Sequence, residues 1–395
     1  MKTIDDFNFK NQKVLVRVDF NVPLDDRFHV TDDTRIRRAL PTINKILNDG
    51  GSVILMSHLG RPKEREDKYS LRHIIPVLEK LLNRKIIFGS DIIGEDSRTK
   101  ARNLKPGDVM LLENLRFHPG EKKGDVEFAR QLAQLGDFYV NDAFGTAHRA
   151  HASTAVIARF FPGKKAAGYL LADEVKNIEK VLRENEKPFT AIIGGAKVSS
   201  KLGVLKNLLN LVDNLIIVGG MTFTFLKALG YETGNSLVEP DLIDEANRII
   251  KQAREKGVNL VLPEDFVIAD RFAPDARTRL LKGRNIPENW MGLDIGPDTL
   301  QKIKDLILQS KTIVWNGPAG VFEWDTFARG TEEIARYLAQ ATREGAYTLV
   351  GGGDSVAALK KAGLEDAVSY VSTGGGAMLE MLEGKELPGI KALKE

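Results

Sequence analysis

The sequence predicts an α/β fold of two doubly wound, parallel-sheet (Rossmann-like) domains joined by a hinge helix. The chain has 395 residues, which favours two or three domains over one. Short apolar runs alternate with helix-length segments along the whole chain, as in parallel sheets covered by helices. Most of these runs are apolar on successive residues rather than alternate ones, which indicates strands buried on both faces.

Eleven apolar runs are the predicted strands of the two sheets. Helix-length segments, for example Asp241–Lys256 and Phe327–Glu344, lie between them. The predicted strands are Lys13–Val18, Ser52–Met56, Lys85–Phe88, Val109–Leu112 and Phe138–Val140 in the first half, and Thr190–Ile193, Leu215–Val218, Leu260–Leu262, Thr312–Trp315, Tyr347–Val350 and Val368–Val371 in the second.

The boundary between the domains is predicted near residues 165–187. The segment from Phe161 to Lys165 combines a proline, a glycine and two lysines, which interrupts regular structure. Asp173–Glu186 then has the apolar spacing of one amphipathic helix, and Pro188 closes it. We therefore expect a first domain over residues 1–170, an interdomain helix over 171–187 and a second domain over 188–377.

The composition excludes several classes of protein. Hydrophobic residues make up 43% and charged residues 28%, so a packed soluble protein is expected rather than a disordered one. The absence of cysteine excludes disulfides, thiolate metal sites and a cysteine nucleophile. The net charge of +3 gives no reason to expect nucleic acid as a partner. No apolar run approaches the roughly 18 residues of a membrane span, and no signal peptide follows Met1, so we expect a cytoplasmic protein with no membrane partner.

Glycine clusters follow five predicted strands of the second half. Ligands of open parallel sheets bind at the carboxyl ends of strands, where glycine lets the backbone approach phosphate closely. One such cluster alone is as readily an ordinary tight turn, but five together favour a nucleotide or phosphate site. Neither the P-loop pattern nor Gly-x-Gly-x-x-Gly after a strand is present, which disfavours P-loop enzymes and dinucleotide dehydrogenases. The clusters are Gly194-Gly195, Gly219-Gly220, Asn316-Gly317-Pro318-Ala319-Gly320, Gly351-Gly352-Gly353 and Gly374-Gly375-Gly376.

Three charged residues sharpen this predicted site. Lys197 and Lys201 are spaced i, i+4 after Gly194-Gly195, so both would face one side of a helix that starts there. Lysine serves as a mobile point charge for phosphates. Asp354 follows another glycine cluster, where a single carboxylate suits Mg²⁺ held together with phosphate oxygens. The same aspartate could instead be a helix N-cap, and the sequence leaves both roles open.

Arginine, histidine and amide side chains follow the strands of the first half. All six histidines lie at or before His151, and 15 arginines fall in residues 1–165 against 10 in residues 166–395. Parallel strands deliver these side chains to one edge of the sheet, where arginine forks bind phosphate or carboxylate. The two halves therefore point to two different ligands, the first a small dianion. His148 and His151, spaced i, i+3, could ligate a metal, although no third ligand accompanies them.

Eight longer motifs extend these patterns, in order, over nearly the whole chain. They are Asp19-Phe20-Asn21-Val22-Pro23, His58-Leu59-Gly60-Arg61-Pro62, Leu112-Glu113-Asn114-Leu115-Arg116-Phe117, Ala143-Phe144-Gly145-Thr146-Ala147-His148-Arg149, Gly194-Gly195-Ala196-Lys197-Val198, Trp315-Asn316-Gly317-Pro318, Gly351-Gly352-Gly353-Asp354-Ser355 and Thr373-Gly374-Gly375-Gly376-Ala377. Any single motif is weak, but the eight in order are highly specific. Together they resemble the phosphoglycerate kinase family.

The resemblance implies an ATP:3-phosphoglycerate 1-phosphotransferase of glycolysis and gluconeogenesis. Such an enzyme reversibly transfers a phosphoryl group between ATP and the carboxylate of 3-phosphoglycerate, giving 1,3-bisphosphoglycerate and ADP. The resemblance further implies a monomer that binds 3-phosphoglycerate on its first domain and ATP or ADP with Mg²⁺ on its second, and that closes about a hinge. The last residues, about 378–395, would pack back on the first domain.

Site residues follow from the resemblance by position. Arg61, Arg116 and Arg149 would hold the phosphate ester of the acid, Arg35 would face its carboxylate, and Asp354 would meet Mg²⁺. Ser200 precedes Lys201 where the family usually has aspartate, which alters a local ion pair but removes no ligand. The pocket for the acid would comprise Asp19, Asn21, Arg35, His58, Arg61, Arg116 and Arg149. The nucleotide would meet Gly195, Ala196, Lys201, Gly219, Gly292, Leu293, Asn316, Pro318, Glu323 (at the ribose), Gly351, Gly352, Gly353, Asp354 and Ser355.

The expected chemistry needs no general base, because a carboxylate nucleophile with a pKa of about 4 is already ionised at neutral pH. Two anions must nevertheless meet, so catalysis should consist of positioning and charge stabilisation. Arg35 and Lys197 are the predicted catalytic side chains, with backbone N–H groups at Gly374 and Gly375 forming a helix-terminus site. Two rival interpretations are a dehydrogenase, disfavoured by the missing fingerprint, and a non-catalytic binding protein, disfavoured by the intact charged residues.

Overall fold

The computed structural model describes residues 1–395 and divides into two compact units. The first unit comprises Met1–Lys176 together with Glu386–Glu395, and the second comprises Asn177–Lys385. The helix Tyr169–Arg183 contains the point of division and begins earlier than the predicted Asp173–Glu186. None of the helices combines the length and the apolar character needed to span a bilayer.

The second unit ends at Lys385 rather than at the expected residue 377. The helix Gly375–Leu382 packs against the helix Leu202–Leu208 of the same unit, which keeps this part of the chain there. The tail that follows belongs to the first unit, where the backbone N–H of Gly389 donates to the carbonyl of Ala147 at 2.8 Å.

Fifteen strands and fourteen α-helices make up the two units. The strands are β1 Lys13–Arg17, β2 Ser52–Met56, β3 Ile86–Phe88, β4 Val109–Leu111, β5 Phe138–Asn141, β6 Lys165–Ala167, β7 Phe189–Ile193, β8 Asn214–Ile217, β9 Asn259–Val261, β10 Asp265–Ala269, β11 Thr278–Lys282, β12 Met291–Ile295, β13 Thr312–Asn316, β14 Tyr347–Gly351 and β15 Tyr370–Val371. The helices are α1 Thr34–Asn48, α2 Ile75–Leu82, α3 Glu95–Arg102, α4 Gly120–Lys123, α5 Val126–Ala133, α6 Tyr169–Arg183, α7 Leu202–Leu208, α8 Thr222–Ala228, α9 Ile243–Glu255, α10 Pro297–Gln309, α11 Arg329–Arg343, α12 Gly353–Lys361, α13 Gly375–Leu382 and α14 Pro388–Lys394.

The sheet of the first unit has six strands in the order β3-β4-β2-β1-β5-β6, all paired in parallel. Strand β2 is buried along its whole length, which explains its unbroken apolar sequence. Ile36 and Ile43 of α1 and Leu78 of α2 join the apolar core on this sheet. The order of strands reverses between β1 and β5, and doubly wound sheets bind ligands outside the carboxyl ends of strands at such a reversal.

The main sheet of the second unit also has six parallel strands, in the order β15-β14-β13-β7-β8-β9. Its reversal lies between β7 and β13, both buried throughout. Helices α10 and α11 contribute Ile303, Ile334 and Leu338 to the core on this sheet. The prediction of an α/β protein with two parallel sheets is therefore confirmed, and all eleven predicted strands are present.

Four strands have no counterpart among the predicted runs. Strand β6 begins at the last residue of the segment that was expected to interrupt regular structure, and it lies at the edge of the first sheet. The other three form a separate antiparallel sheet in the order β11-β10-β12. Strand β11 is exposed at four of its five positions, so its sequence carries no buried face for a pattern to detect.

Asp265, at the start of β10, caps α10. Its carboxylate accepts hydrogen bonds from the backbone N–H groups of Asp298 and Thr299, both at 2.9 Å, and from the Thr299 hydroxyl at 2.6 Å. The residue is only 1% exposed. It therefore satisfies donors at the first turn of α10 that would otherwise be buried without partners.

We predict that Asp265→Ala lowers the free energy of unfolding of the second unit by about 1–3 kcal/mol, since buried donors lose their acceptor. Urea denaturation followed by tryptophan fluorescence measures this unit selectively, because all three tryptophans, Trp290, Trp315 and Trp324, belong to it. Asp298→Ala, at an exposed neighbouring position, is the control. A loss of less than about 0.5 kcal/mol would contradict the capping role.

Candidate active site

The predicted residues of the first unit come together at the carboxyl edge of its sheet. Asp19 follows β1, His58 follows β2, Arg116 follows β4 and Arg149 follows β5. Because all four strands are parallel, their ends deliver these side chains to one edge. This edge carries an excess of positive charge suited to a small anion.

Arg35, on the first turn of α1, is oriented by the loop that follows β1. Its Nη1 lies 3.3 Å from Oδ1 of Asp19 and donates to the carbonyl of Asn21 at 2.8 Å. The Asn21 side chain in turn accepts from the N–H of Gly60 at 2.8 Å. The Arg35 side chain remains 37% exposed, so part of its guanidinium faces solvent. The Asp19 carboxylate and the Asn21 backbone carbonyl thus set the direction of the Arg35 guanidinium, which still has N–H donors free for a ligand.

Arg116 is a half-buried cation with an unused donor. Its Nη1 donates to the carbonyl of Gly60 at 2.9 Å, whereas its Nε is buried and has no hydrogen-bond partner. Burial, together with the charges of Arg17 and Arg61, lowers the pKa of Arg116. An unpartnered buried donor costs free energy. A bound anion would supply the missing acceptor and relieve the repulsion among these cations.

His58 is held neutral beside the cations. It is 4% exposed, and its Nδ1 lies 3.0 Å from Nη2 of Arg17. Because arginine only donates, Nδ1 must accept and the proton must sit on Nε2. Burial and the charges of Arg17 and Arg116 hold the pKa of His58 well below its usual value. His58 therefore offers a neutral N–H rather than a charge.

Beneath this edge lies a buried polar network that the sequence interpretation missed. Nε of Arg17 donates to Oγ of Ser153 at 2.9 Å, and the Ser153 hydroxyl donates to Oε2 of Glu121 at 2.6 Å. The Glu121 carboxylate lies 4.0 Å from Nη2 of Arg17, and all three residues are fully buried. The sequence did hold an indication of it, because Arg17 follows the apolar run Val14–Val16 in a predicted buried strand. A buried charge is tolerated there only when it is paired and hydrogen-bonded.

His148 and His151 belong to no group of three residues that could hold a metal ion. Burial and the charges of Arg116 and Arg17 lower the pKa of His151 to about 4. The metal-binding alternative for this pair therefore has no support in the structure, and His151 is a neutral member of the cationic edge.

The second unit contains a cavity of about 730 Å³ at the carboxyl edge of its main sheet. A cavity of this size accommodates a nucleotide-sized ligand. Its wall includes eight of the residues predicted for the nucleotide: Gly195, Ala196, Gly219, Gly292, Leu293, Pro318, Glu323 and Asp354. The other six predicted residues, Lys201, Asn316, Gly351, Gly352, Gly353 and Ser355, are not in the cavity wall.

The glycine turns around the reversal of strand order pack directly against one another. A Cβ on Gly317, whose φ is +100°, would lie 2.2 Å from the carbonyl oxygen of Gly194. One on Gly219 would lie 2.7 Å from backbone atoms of Gly195. Glycine is thus required here by the approach of one turn to the next. Gly353 has open space where a Cβ would be, so close packing does not explain that glycine.

Lys201 is tied by its amine to a buried side chain outside the cavity wall. Its Nζ donates to Oδ1 of Asn316, which is buried and whose Nδ2 donates to the carbonyl of Gly351 at 2.9 Å. Burial lowers the pKa of Lys201 to about 8, and the nearby charge of Asp354 opposes that shift. The buried hydroxyl of Ser355 accepts from the N–H of Gly317 at 2.7 Å, so it holds the turns together.

Lys197 lies in a loop, because α7 begins only at Leu202. The expectation of two lysines at i, i+4 on one helix is therefore wrong. The loop that begins with Gly194-Gly195 continues as far as Lys201 before the helix starts. The Ser200 hydroxyl donates to the carbonyl of Lys197 at 2.9 Å and shapes this loop. The Lys197 side chain is exposed, whereas Lys201 is half-buried.

Asp354 lies in the first turn of α12, whose N-cap is Gly352 and receives no side-chain cap bond. The N-cap alternative is therefore wrong. The exposed Asp354 carboxylate makes no hydrogen bond or ion pair within the chain and lines the cavity. A free carboxylate beside a phosphate-sized space fits Mg²⁺, which takes one or two carboxylates and completes its shell with phosphate and water. Helix α13 begins at Gly375, where a Cβ would lie 2.7 Å from Cα of Gly352, so its N-terminus adjoins this turn.

Two sites of this kind, one cationic and one nucleotide-sized, each at the carboxyl edge of a parallel sheet, define an α/β phosphotransferase. The family model for phosphoglycerate kinase matches residues 4–385. The chain belongs to the phosphoglycerate kinase family. It is therefore a phosphotransferase with a carboxyl group as acceptor, with phosphoglycerate kinase activity in glycolysis.

Individual relatives agree over almost the full length. The chain is 54% identical to phosphoglycerate kinase of Porphyromonas gingivalis, covering 99% of this chain and 100% of the relative. It is 52% identical to cytosolic phosphoglycerate kinase 3 of Arabidopsis thaliana, covering 100% and 98%. The solved structure of phosphoglycerate kinase from Coxiella burnetii superposes with a TM-score of 0.88 at 43% identity, covering 99% and 98%.

We predict that the imidazole of His151 titrates with a midpoint near pH 4, and that His58 stays neutral at pH 6. Unfolded histidines titrate near pH 6.5. Because the folded pKa of His151 is the lower one, its contribution to stability is present above about pH 6.5 and is lost as the pH falls toward 4.

Heteronuclear NMR of labelled histidines measures both midpoints, with urea-unfolded protein as the reference. A second readout is the free energy of unfolding between pH 6.5 and 4.5, which should fall less steeply in His151→Gln than in the unaltered protein. A His151 midpoint between about pH 6 and 7 would show that the cations and burial do not act on it as described.

Proposed function

We propose that the first unit binds 3-phosphoglycerate and the second binds ATP or ADP with Mg²⁺. The phosphoryl group moves reversibly between ATP and the carboxylate of the acid, giving 1,3-bisphosphoglycerate and ADP. The observation that carries this assignment is the second unit's cavity of about 730 Å³, whose wall joins glycine turns to a free carboxylate. The family supports both the substrates and the metal.

The cationic edge of the first unit is the proposed site for the acid. Arg61, Arg116 and Arg149 hold its phosphate ester, and the buried Nε of Arg116 supplies a donor that no protein atom uses. Arg35 faces the carboxylate, with Asp19 and Asn21 holding it in place. Charge-assisted bonds to such anions contribute roughly 1.5–3 kcal/mol each. His58 adds a neutral N–H without increasing the repulsion among the arginines.

The nucleotide occupies the cavity of the second unit in this proposal. Lys201 and the turn of Gly351, Gly352 and Gly353 serve the phosphates, and Glu323 serves the ribose. Asn316 and Ser355 act from behind the wall, because both are buried and hold Lys201 and Gly317. The remaining wall residues for the nucleoside are Gly195, Ala196, Gly219, Gly292, Leu293 and Pro318.

Asp354 would hold Mg²⁺ in this site. When bound, the metal would neutralise negative charge on the phosphate oxygens of the nucleotide. Asp354 belongs to no group of three residues that could hold a metal ion, so oxygens of the nucleotide phosphates and of water would complete the shell of the metal.

The transfer step depends on charge rather than on proton transfer. The carboxylate nucleophile is ionised at neutral pH and needs no base. Arg35 and Lys197 stabilise the charge on the phosphoryl oxygens in flight, and the N–H groups at Gly374 and Gly375 add the N-terminus of α13. Transfer requires the two bound ligands to be brought together with water excluded.

The cytosolic name of the Arabidopsis relative supports a cytoplasmic location. We also propose that the enzyme acts as a monomer.

A coupled assay tests the assignment directly. Purified protein, Mg-ATP and 3-phosphoglycerate are combined with a dehydrogenase that consumes the acyl phosphate and NADH. We predict loss of NADH that depends on both substrates and stops when EDTA removes the metal. Arg35→Ala and Lys197→Ala should each lower kcat by about 10²–10³ with little change in the dissociation constants, because both act mainly in the transition state.

Arg37→Ala is the matched control for Arg35, because Arg37 lies on the same helix, is exposed and pairs only with Asp33. It should leave kcat unchanged. An unaltered kcat in the Arg35 or Lys197 variant would remove that residue from the catalytic group. Activity that survives EDTA would remove the metal from the proposal.

We predict that ADP binds more weakly as the pH rises above about 8, which is the pKa of Lys201 in the protein without nucleotide. The phosphates favour the charged amine, so above this pH binding must be accompanied by uptake of a proton. The dissociation constant should rise by up to about tenfold per pH unit. Calorimetry in buffers of different ionisation enthalpy measures both affinity and proton uptake.

Lys201→Arg is the control for this effect, since a guanidinium stays charged throughout the range. It should bind ADP with little pH dependence between pH 7.5 and 9.5. Equal pH dependence in both proteins would show that Lys201 does not carry the titration.

A further inference from the structure

The order of strands places the two ends of the nucleotide cavity. Asp354 follows β14, whereas Gly219 follows β8, three strand positions away in the sheet. At ~4.8 Å per strand this separation is about 14 Å. With phosphates beside Asp354, the base therefore lies toward the turn after β8 and the segments beyond it.

The wall at that end is mainly apolar. Phe223 of α8 packs so closely on β12 that a Cβ on Gly292 would lie 2.4 Å from its ring. Met291 and Leu293 continue the same wall. Apolar surfaces hold a flat base firmly but discriminate weakly between purines, whereas a polar group that must be paired discriminates strongly. Selection among bases therefore needs a polar group in this wall that the base must pair.

Four of the six polar side chains in the cavity wall are already hydrogen-bonded or assigned to another part of the nucleotide. The Ser236 hydroxyl accepts from the N–H of Gly292 at 3.0 Å. The buried Asp294 carboxylate accepts from the N–H groups of Ile295 at 2.9 Å and Gly330 at 3.0 Å. Glu323 and Asp354 belong to the proposed ribose and phosphate positions.

Two polar side chains remain, the indole of Trp324, which can only donate, and the amide of Asn235. Only Asn235 can both donate and accept. Its backbone N–H donates to the carbonyl of Trp290 at 2.8 Å, and its neighbour Ser236 is bonded to Gly292, so the backbone here is fastened to β12. Its side chain lines the cavity and makes no hydrogen bond within the chain. Asn235 is also the only side-chain amide in the cavity wall. The side-chain amide of Asn235 therefore offers a donor and an acceptor side by side, on a backbone held in place by hydrogen bonds, at the end of the cavity where the base lies.

We propose that Asn235 determines specificity for adenine in this enzyme. Its carbonyl oxygen accepts from the 6-amino group of the base, and its amide N–H donates to the adjacent ring nitrogen. Asparagine and adenine form this two-bond pair in nucleic-acid recognition for the same geometric reason. The inference rests on the proposed binding of ATP in this cavity, and it identifies a residue that neither the motifs nor the glycine turns indicated.

The test compares ATP with purine riboside 5′-triphosphate, which has the same phosphates and ribose but lacks the 6-amino group. Both are assayed with Mg²⁺ and 3-phosphoglycerate in the intact enzyme and in Asn235→Ala. We expect the intact enzyme to prefer ATP by roughly tenfold to a hundredfold in kcat/KM. In Asn235→Ala, kcat/KM should fall for both nucleotides, because each loses the bond to its ring nitrogen, but it should fall further for ATP, so that the preference approaches one.

Asn235→Asp keeps the acceptor for the 6-amino group and loses the donor to the ring nitrogen, which both nucleotides carry, so it should bind both more weakly and keep most of the preference. Any repulsion between the new carboxylate and the phosphates affects both nucleotides alike and cancels in the ratio. Asn247→Ala, at an exposed position on α9 outside the cavity, is the control and should keep the full preference. The KM for 3-phosphoglycerate should not change in any variant.

An unchanged preference in Asn235→Ala would overturn the inference while leaving the proposed function standing, because turnover with ATP would persist. An equal fall for both nucleotides would also overturn it, since it would assign Asn235 to the shape of the cavity. Failure of the intact enzyme to use either nucleotide would overturn the proposed function together with this inference.

Discussion

The structure of the second unit depends on the contact between the turns that follow β7, β8 and β13. The carbonyl oxygen of Gly194 occupies the space that a side chain on Gly317 would need, and Gly219 meets Gly195 in the same way. This packing brings three loops to one place and leaves the cavity beside them. Asn316 and Ser355 reinforce it from below, with bonds to Gly351 and Gly317. The position of Lys201 follows, since its amine binds Asn316.

The first unit meets a different constraint, which is the repulsion among the cations gathered at the carboxyl edge of its sheet. Arg17 is fully buried directly behind the site and would be costly alone. Glu121, Ser153 and the carbonyl of Val18 satisfy it, and its Nη2 faces Nδ1 of His58. His58 consequently stays neutral, so one more polar contact is added without one more charge. The buried network thus sets both the geometry and the charge of the surface above it.

The parallel sheets were predictable because a strand buried on both faces needs apolar residues in succession, as in Ser52–Met56 and Phe189–Ile193. The sheet of β10, β11 and β12 was not predictable, because Thr278–Lys282 is largely exposed and has no pattern of buried apolar residues that would indicate a strand. The loop from Ala196 to Lys201 was misjudged for a similar reason. Lysine spacing alone cannot show whether a helix begins at residue 196 or at Leu202, which the packing of the turns decides.

The sequence by itself determined the class of fold, the family and the types of residue present at each strand end. Those features are encoded locally, in apolar runs, glycine clusters and ordered motifs. Only the tertiary structure decided which of these residues line the cavity and which hold the others in place. Asn316 and Ser355 lie behind the cavity wall, whereas Asn235, which belongs to no motif, lines it. The reason is that burial, free hydrogen-bonding capacity and pKa depend on neighbours distant in the chain.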